Sequence, residues 1–226
     1  MENCPMEQQL IEFDYTSVSR EQPAEQQSPS RNKEAIAIIR GLQYVENYID
    51  EHQHDWALAQ IDEHQWLADL KRRVQHYGFK YDYRARKVNH DMRIGELPEW
   101  LNRLSEKLYK DGHMPEIADQ VIVNEYLPGQ GISSHIDCEP CFEDTIVSLS
   151  LGSGCVMNFT NKFDKTKKIP VWLAPRSLVV LSGAARHDWL HGIVARKSDV
   201  WDGEKHERQR RVSLTFRKVI IETAKR

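Results

Sequence analysis

The segment Arg211-Val212-Ser213-Leu214-Thr215-Phe216-Arg217 decides the fold. Arg211, Ser213, Thr215 and Arg217 alternate with Val212, Leu214 and Phe216. On an extended strand, both arginines and both hydroxyls share one face and the apolar residues share the other. Arginines that point into a barrel need an anion, because an unpaired buried charge is very costly. A dicarboxylate held by bidentate guanidinium contacts supplies one. Five further short β-rich runs precede this strand: VIVNEY (121–126), TIVSLSLG (145–152), CVMNFT (155–160), IPVWLA (169–174) and SLVVLS (177–182). Gly, Pro, Asn and Asp separate them, so an antiparallel sandwich or barrel is expected.

Upstream the text is different. GLQYVENYI (41–49) reads as a first strand. Residues 54–70 carry Trp56, Leu58, Ile61, Trp66, Leu67 and Leu70, which predicts a helix. In RRVQHYGFKYDY (72–83), Val74, Tyr77, Phe79, Tyr81 and Tyr83 give a basic-aromatic strand or ordered loop. ELPEWLNRLSEKLYKDG (96–112) is the clearest helix, with Pro98 near its start, a stripe of Trp100, Leu101, Leu104 and Leu108, and Asp111-Gly112 at its end. Helices first and strands afterwards predict an α+β fold with the helices outside a sheet.

The chain has 226 residues, enough for one domain plus a tail. Residues 1–33 are rich in Gln, Ser, Glu and Pro and read as a disordered tail, leaving 34–226 as the domain. No segment of about 18 apolar residues is present, so no transmembrane helix is expected. The acidic N-terminus does not read as a signal peptide. The four cysteines do not suggest a secreted disulfide framework. A monomeric protein of a reducing compartment, the cytoplasm or the nucleus, is the expectation. Net charge is −3. Residues 71–87 hold seven basic residues and one acid, and 205–226 hold eight and two. Such stretches suit a polyanion, or simply a solvated surface.

The chemistry lies in NEYLPGQGISSHIDCEP (124–140). His135 and Asp137 are one residue apart, so an extended strand points both to one face. His191, in WLHGI, follows several strands later. Two histidines and one carboxylate leave positions open on one face of a divalent metal, the arrangement of non-haem Fe(II) oxygenases. In VIVNEY, period two puts Asn124 and Tyr126 on a common face just before the pair. Cys138-x-x-Cys141 has no second cysteine pair of zinc-site spacing, and both cysteines read as pocket-wall residues. His187 and His206 stay outside the metal set.

Taken in order, N-x-Y-x-P-G (124–129), H-x-D (135–137), SLSLG (148–152), the HG of 191–192 and R-x-S-L-T-F-R (211–217) resemble the AlkB family of Fe(II)/2-oxoglutarate dioxygenases over roughly residues 40–220. The resemblance implies a double-stranded β-helix, a cupin-like jelly-roll with outer helices and an N-terminal substrate lid. It implies His135, Asp137 and His191 as iron ligands. Asn124, Tyr126, Arg211 and Ser213 would hold 2-oxoglutarate, and Arg217 would bind the co-substrate or brace Asp137. The family's reaction consumes 2-oxoglutarate and O₂, releases succinate and CO₂, and hydroxylates a substrate C–H bond. On an N-methyl group, the hydroxylated product loses formaldehyde.

For the substrate, the resemblance leaves two branches open. Residues 72–87 resemble the family's lid, where Tyr81 and Tyr83 would stack a flipped base and Arg84 and Arg86 would meet phosphates. This stretch, PGQGI, FEDTIVSLSLGS and LTFRKV are similar to the branch that hydroxylates a modified wobble uridine in tRNA. Glu139 points instead to oxidative demethylation of N-alkylated bases in DNA or RNA. It stands four residues after His135, on the same face if the strand continues. Repair members carry an acid there that accepts a hydrogen bond from the exocyclic amine of a methylated adenine or cytosine. Demethylation is the leading expectation, tRNA-uridine hydroxylation the alternative, and a protein or small-molecule hydroxylase a weaker one.

Overall fold

The computed structural model describes residues 30–68 and 71–221. It is an antiparallel, sheet-rich α+β jelly-roll. The major sheet has six strands in the order β1 (Leu42–Val45), β8 (Leu178–Leu181), β5 (Ile146–Gly152), β12 (Arg211–Arg217), β3 (Gln120–Tyr126), β2 (Val74–Tyr77). The minor sheet has four, in the order β4 (Ile132–His135), β9 (Trp189–Ile193), β6 (Cys155–Asn161), β7 (Lys168–Leu173). A separate hairpin joins β10 (Ser198–Trp201) to β11 (Glu204–Glu207).

The alternation in β12 sorts the molecule into two cores. Val212, Leu214 and Phe216 share one buried cluster with Val121 and Val123 of β3 and Val147, Leu149 and Leu151 of β5. Against them pack Ala57 and Ile61 of α2 (Glu51–Asp62) and Trp100, Leu101, Leu104 and Leu108 of α3 (Glu99–Lys110). Burying each large apolar side chain there contributes roughly 1.5–3 kcal/mol before entropy is counted. The second cluster fills the space between the sheets, with Tyr126, Ile146 and Val179 facing Met157, Phe159 and Val171. Arg211, Ser213, Thr215 and Arg217 project into that same space, where they line a cavity.

Some elements differ from the sequence reading. The segment read as a tail lies mostly outside the described residues, but helix α1 (Ser30–Ile38) begins before the expected boundary at 34. Its Asn32 side chain donates to the Trp172 carbonyl and accepts from the Trp172 N–H, both at 2.9 Å, so an amide side chain completes the free edge of β7. Ala35 and Ile39, one helical turn apart, are fully buried. Helix α2 starts at a capping box between Asp50 and Gln53 and ends at Asp62, short of the expected 70. The backbone of Leu67 pairs with Val74 instead of continuing a helix, and Leu70 lies outside the described residues. Strands β4, β9, β10 and β11 do not figure among the six β-rich runs. Their sequences, ISSH, WLHGI, SDVW and EKHE, interrupt the β-branched and apolar residues with polar ones or Gly, so they lack the enrichment that marks the other runs.

The basic-aromatic stretch is a short strand that becomes a lid. Strand β2 pairs with β3 through Tyr77. Glu125, on the helix side of β3, anchors its base: it accepts from Arg73 at 2.6 and 2.7 Å and from Arg210 at 2.7 Å. At Gly78 the chain turns with φ +76°, and a Cβ there would lie 1.8 Å from the Asp119 carbonyl oxygen. Beyond the turn, the Asp82 carboxylate accepts from the backbone N–H groups of Arg84 and Ala85 and closes a tight loop over the sheets. Gly78→Ala is therefore expected to cost on the order of 1–3 kcal/mol, read as a lowered urea midpoint at unchanged slope. A neutral effect would show that the lid does not depend on this turn.

Candidate active site

The three H-x-D…H residues meet at one end of the space between the sheets. His135, the last residue of β4, lies directly opposite His191 of β9 in the strand register. Their rings are 4.5 Å apart, and His191 Nε2 lies 3.7 Å from Asp137 Oδ2. One ligand atom from each of His135, Asp137 and His191 falls within 4.8 Å of the others, so three donors converge on one point, as a metal site requires. His135 Nδ1 lies 2.9 Å from the Ser133 carbonyl, and that bond leaves Nε2 free to ligate. Burial, then the neighbouring His135, pushes His191 down to about 3, so it is the neutral imidazole a metal requires. Gly192 matters here because a Cβ would sit 2.8 Å from Ser134 Cα. Its absence lets β4 approach β9 closely enough to face the two histidines.

Asp137 is not on the strand. β4 ends at His135, two residues before it. Arginines hold the carboxylate. Arg217 donates to Asp137 Oδ1 at 2.9 Å, and Arg186 donates to the carbonyls of Asp137 at 3.0 Å and Cys138 at 3.3 Å. Burial pushes the Asp137 carboxyl up, but Arg217, the two histidines and Arg186 outweigh it and hold the group well below the usual carboxylate range. Of the two roles open to Arg217, bracing Asp137 is the one its contacts match.

Beside the triad lies a cavity of about 550 Å³. Asn124, Tyr126, Arg211, Ser213 and Arg217 all line it, as the sequence predicts. Arg211 is 3% exposed and donates to the Ser150 hydroxyl at 2.8 Å, with Tyr126 against its guanidinium face. Its Nε has no partner among the described residues, and no carboxylate there pairs with it. A buried guanidinium left so under-satisfied fits a dianionic co-substrate such as 2-oxoglutarate. Arg72 donates to Asn124 Oδ1 at 2.8 Å, which leaves the Asn124 amino group to donate elsewhere. Burial pushes the Tyr126 phenol up, so it remains a neutral donor.

The expected substrate residues divide. Tyr81, Tyr83 and Arg86 line the cavity, with Tyr81 edge-on to Tyr83 at 4.9 Å between ring centres. Arg84 and Glu139 are exposed and do not line it. Glu139 lies past the end of β4, in a turn, so the continuing strand that would aim it beside iron is missing. Its carboxylate meets His187 Nδ1 at 2.8 Å, and His187 Nε2 meets Asp144 at 2.6 Å. Cys138 lines the cavity as expected, but it is joined to Cys141 in a disulfide, and both sulfurs lie against the Arg86 carbonyl. Sequence reasoning missed Arg72, Arg186, Ser148 and Ser150. The alternation of Ser148 and Ser150 with Leu149 and Leu151 could have revealed the two serines. Arg186 sits in a helix of five residues, α4 (Gly183–His187), and carries no periodic signal.

Two variants test this geometry. Arg217→Gln leaves Asp137 without its brace and should weaken divalent-metal binding about 10–100-fold with an unchanged far-UV spectrum. A titration at wild-type affinity would refute the bracing role. Arg211→Ala should lower 2-oxoglutarate affinity more than tenfold, since a buried charge-assisted contact contributes on the order of 2–5 kcal/mol. An unchanged KM for 2-oxoglutarate would remove Arg211 from the co-substrate site.

Comparison with known proteins agrees with this site. The family model described as the 2OG-Fe(II) oxygenase superfamily matches residues 27–217. The chain is 34% identical over 191 residues to uncharacterized protein L905 of Acanthamoeba polyphaga mimivirus, covering 83% of this chain and 89% of that one. It is 38% identical over 210 residues to the tRNA (carboxymethyluridine(34)-5-O)-methyltransferase ALKBH8 of Macaca fascicularis, covering 81% of this chain but only 31% of that protein. Among solved structures it is similar to OsALKBH1, with a TM-score of 0.60 at 16% identity, over 79% of this chain and 98% of that one. With a triad spaced for one ion and a buried guanidinium awaiting a dicarboxylate, the chain belongs to the 2OG-Fe(II) oxygenase superfamily, within its AlkB family, and is a dioxygenase dependent on Fe(II), 2-oxoglutarate and O₂.

Proposed function

We propose that this chain hydroxylates the side chain of a modified uridine in RNA, most simply a tRNA wobble uridine. The observation that carries the reading is the charge of the cavity. Among the described residues, Asp137 is the only carboxylate that lines it, and Arg217 already holds that group. The outer wall is cationic and aromatic, with Lys71, Arg72, Arg86, Tyr81 and Tyr83. The exocyclic amine of adenine or cytosine would find no free carboxylate there. The O4 of a uracil ring, and the phosphates beside it, would meet cations. The identity to ALKBH8, whose name specifies a tRNA uridine, supports the same choice. N-demethylation, favoured on sequence because of Glu139, loses its main support with the exposed position of that residue.

In this reading His135, Asp137 and His191 hold iron, and Asn124, Tyr126, Arg211 and Ser213 hold 2-oxoglutarate. With O₂, the bound iron supplies an oxidant strong enough to hydroxylate an unactivated C–H bond. The protein's own part is positioning. Arg217 and Arg186 fix the carboxylate, Arg211 anchors the far end of the co-substrate, and Tyr81 and Tyr83 hold the flipped base. Met157, Val179 and Leu181 keep the inner wall of the cavity apolar.

Mass spectrometry of nucleosides from tRNA treated with enzyme, Fe(II) and 2-oxoglutarate tests the proposal. A modified uridine should gain one oxygen atom, and Arg86→Ala should reduce that gain. Glu139→Ala should leave it unchanged. Formaldehyde release from oligonucleotides bearing 1-methyladenine or 3-methylcytosine, lost in Glu139→Ala, would replace this reading with demethylation.

A further inference from the structure

Period two gives the minor sheet a second face. His135 and His191 point inward, as do Met157 and Phe159 beside them. Ser134, Gly192, Asn158 and Thr160 then point outward. α2 and α3 cover the outer face of the major sheet. The outer face of the minor sheet carries instead a groove of about 830 Å³ lined by Ser134, Asn158, Thr160, Lys168, Lys71 and Arg72. Its floor is low because Gly192 stands between Ser134 and Asn158.

Resting on the uridine reading above, we infer that this groove binds the RNA backbone next to the nucleotide that enters the cavity. Charge complementarity and continuity carry the inference. Among the described residues, Lys71, Arg72 and Lys168 line the groove, no carboxylate does, and none of the three forms an ion pair. Lys71, Arg72, Gly131, Ile132 and Ser133 line groove and cavity alike, so one strand can pass from the first into the second. Ser134, Asn158, Thr160 and Gln130 add hydroxyls and amides, Ile193, Val194 and Ala195 add small apolar surface, and among the described residues no aromatic side chain lines the groove. Such a surface suits phosphate and ribose, not stacked bases, and holds a strand without reading its sequence. Lys168 lies at the far end, paired with Thr160 across β6 and β7.

Charge reversals separate this groove from a diffuse basic surface. Lys168→Glu should weaken binding of fluorescein-labelled tRNA and reduce the dependence of log K on log salt by about one phosphate equivalent. Asn158→Glu, which plants an acid in the floor, should act in the same direction. Lys165→Glu makes the same charge change on the β6–β7 turn but outside the groove, and should have a smaller effect. Lys168→Glu should raise KM for tRNA more than Lys165→Glu does. If wild type modifies tRNA while Lys168→Glu binds it normally, or if Lys165→Glu is equally harmful, the groove proposal falls and the uridine reading stands. If wild type neither binds nor modifies RNA, both fall. If it binds and oxidises DNA or protein with the same dependence on Lys168, the groove keeps its role but its RNA occupant is wrong.

Discussion

Everything in the site depends on one buried ion pair, Arg217 to Asp137. The carboxylate lies between the sheets with two imidazoles beside it, and burial alone would favour its protonated form. A protonated Asp137 is a poor ligand. The guanidinium keeps it ionised and points one oxygen away, leaving Oδ2 toward His191. The arginine in turn must be held inside a jelly-roll, where a cation has no other reason to be. It is held there because Val212, Leu214 and Phe216 anchor the other face of its strand in the helix-covered core. The hydrophobic effect on one side of β12 thus positions charge on the other.

That division explains what was legible in the sequence. An alternating strand states its two faces directly, so Arg211, Ser213, Arg217, Asn124 and Tyr126 were readable as one lining. Rules of local periodicity fail where long-range contacts set the geometry. Asp137 is held by Arg217 and Arg186, which come from 80 and 49 residues away. The extended-strand argument reached the right pair, with Asp137 two residues past the end of β4. It then placed Glu139 by extrapolating a strand that stops at His135. Arg72 was within view as part of a basic run, but its bond to Asn124 depends on β2 pairing with β3, which a run of charges does not report.

The balance of charge within the cavity follows from the same constraint. Arg211 and Arg217 both face the interior, and Asp137 answers only one of them. A dianionic co-substrate bound at Arg211 would relieve that surplus, and its binding would then be coupled to the integrity of the site. Cations on the outer wall extend this field from the co-substrate pocket to the mouth, where Lys71 and Arg72 stand.

Arg72 makes the connection physical. Its Nε is committed to Asn124 on the co-substrate side, its guanidinium lies near the Tyr126 ring, and the residue lines the outer groove as well. A phosphate that drew on the remaining donors of this guanidinium would fix its position, and with it the Asn124 carbonyl oxygen. The Asn124 amino group would then be held for 2-oxoglutarate. Because such linkage is reciprocal, a co-substrate that orders Asn124 would hold Arg72 ready for the strand by the same free energy. Strand entry and co-substrate binding need no moving domain to communicate in this arrangement. One side chain lies in both, on a lid whose base Glu125 ties to the sheet and whose turn Gly78 permits.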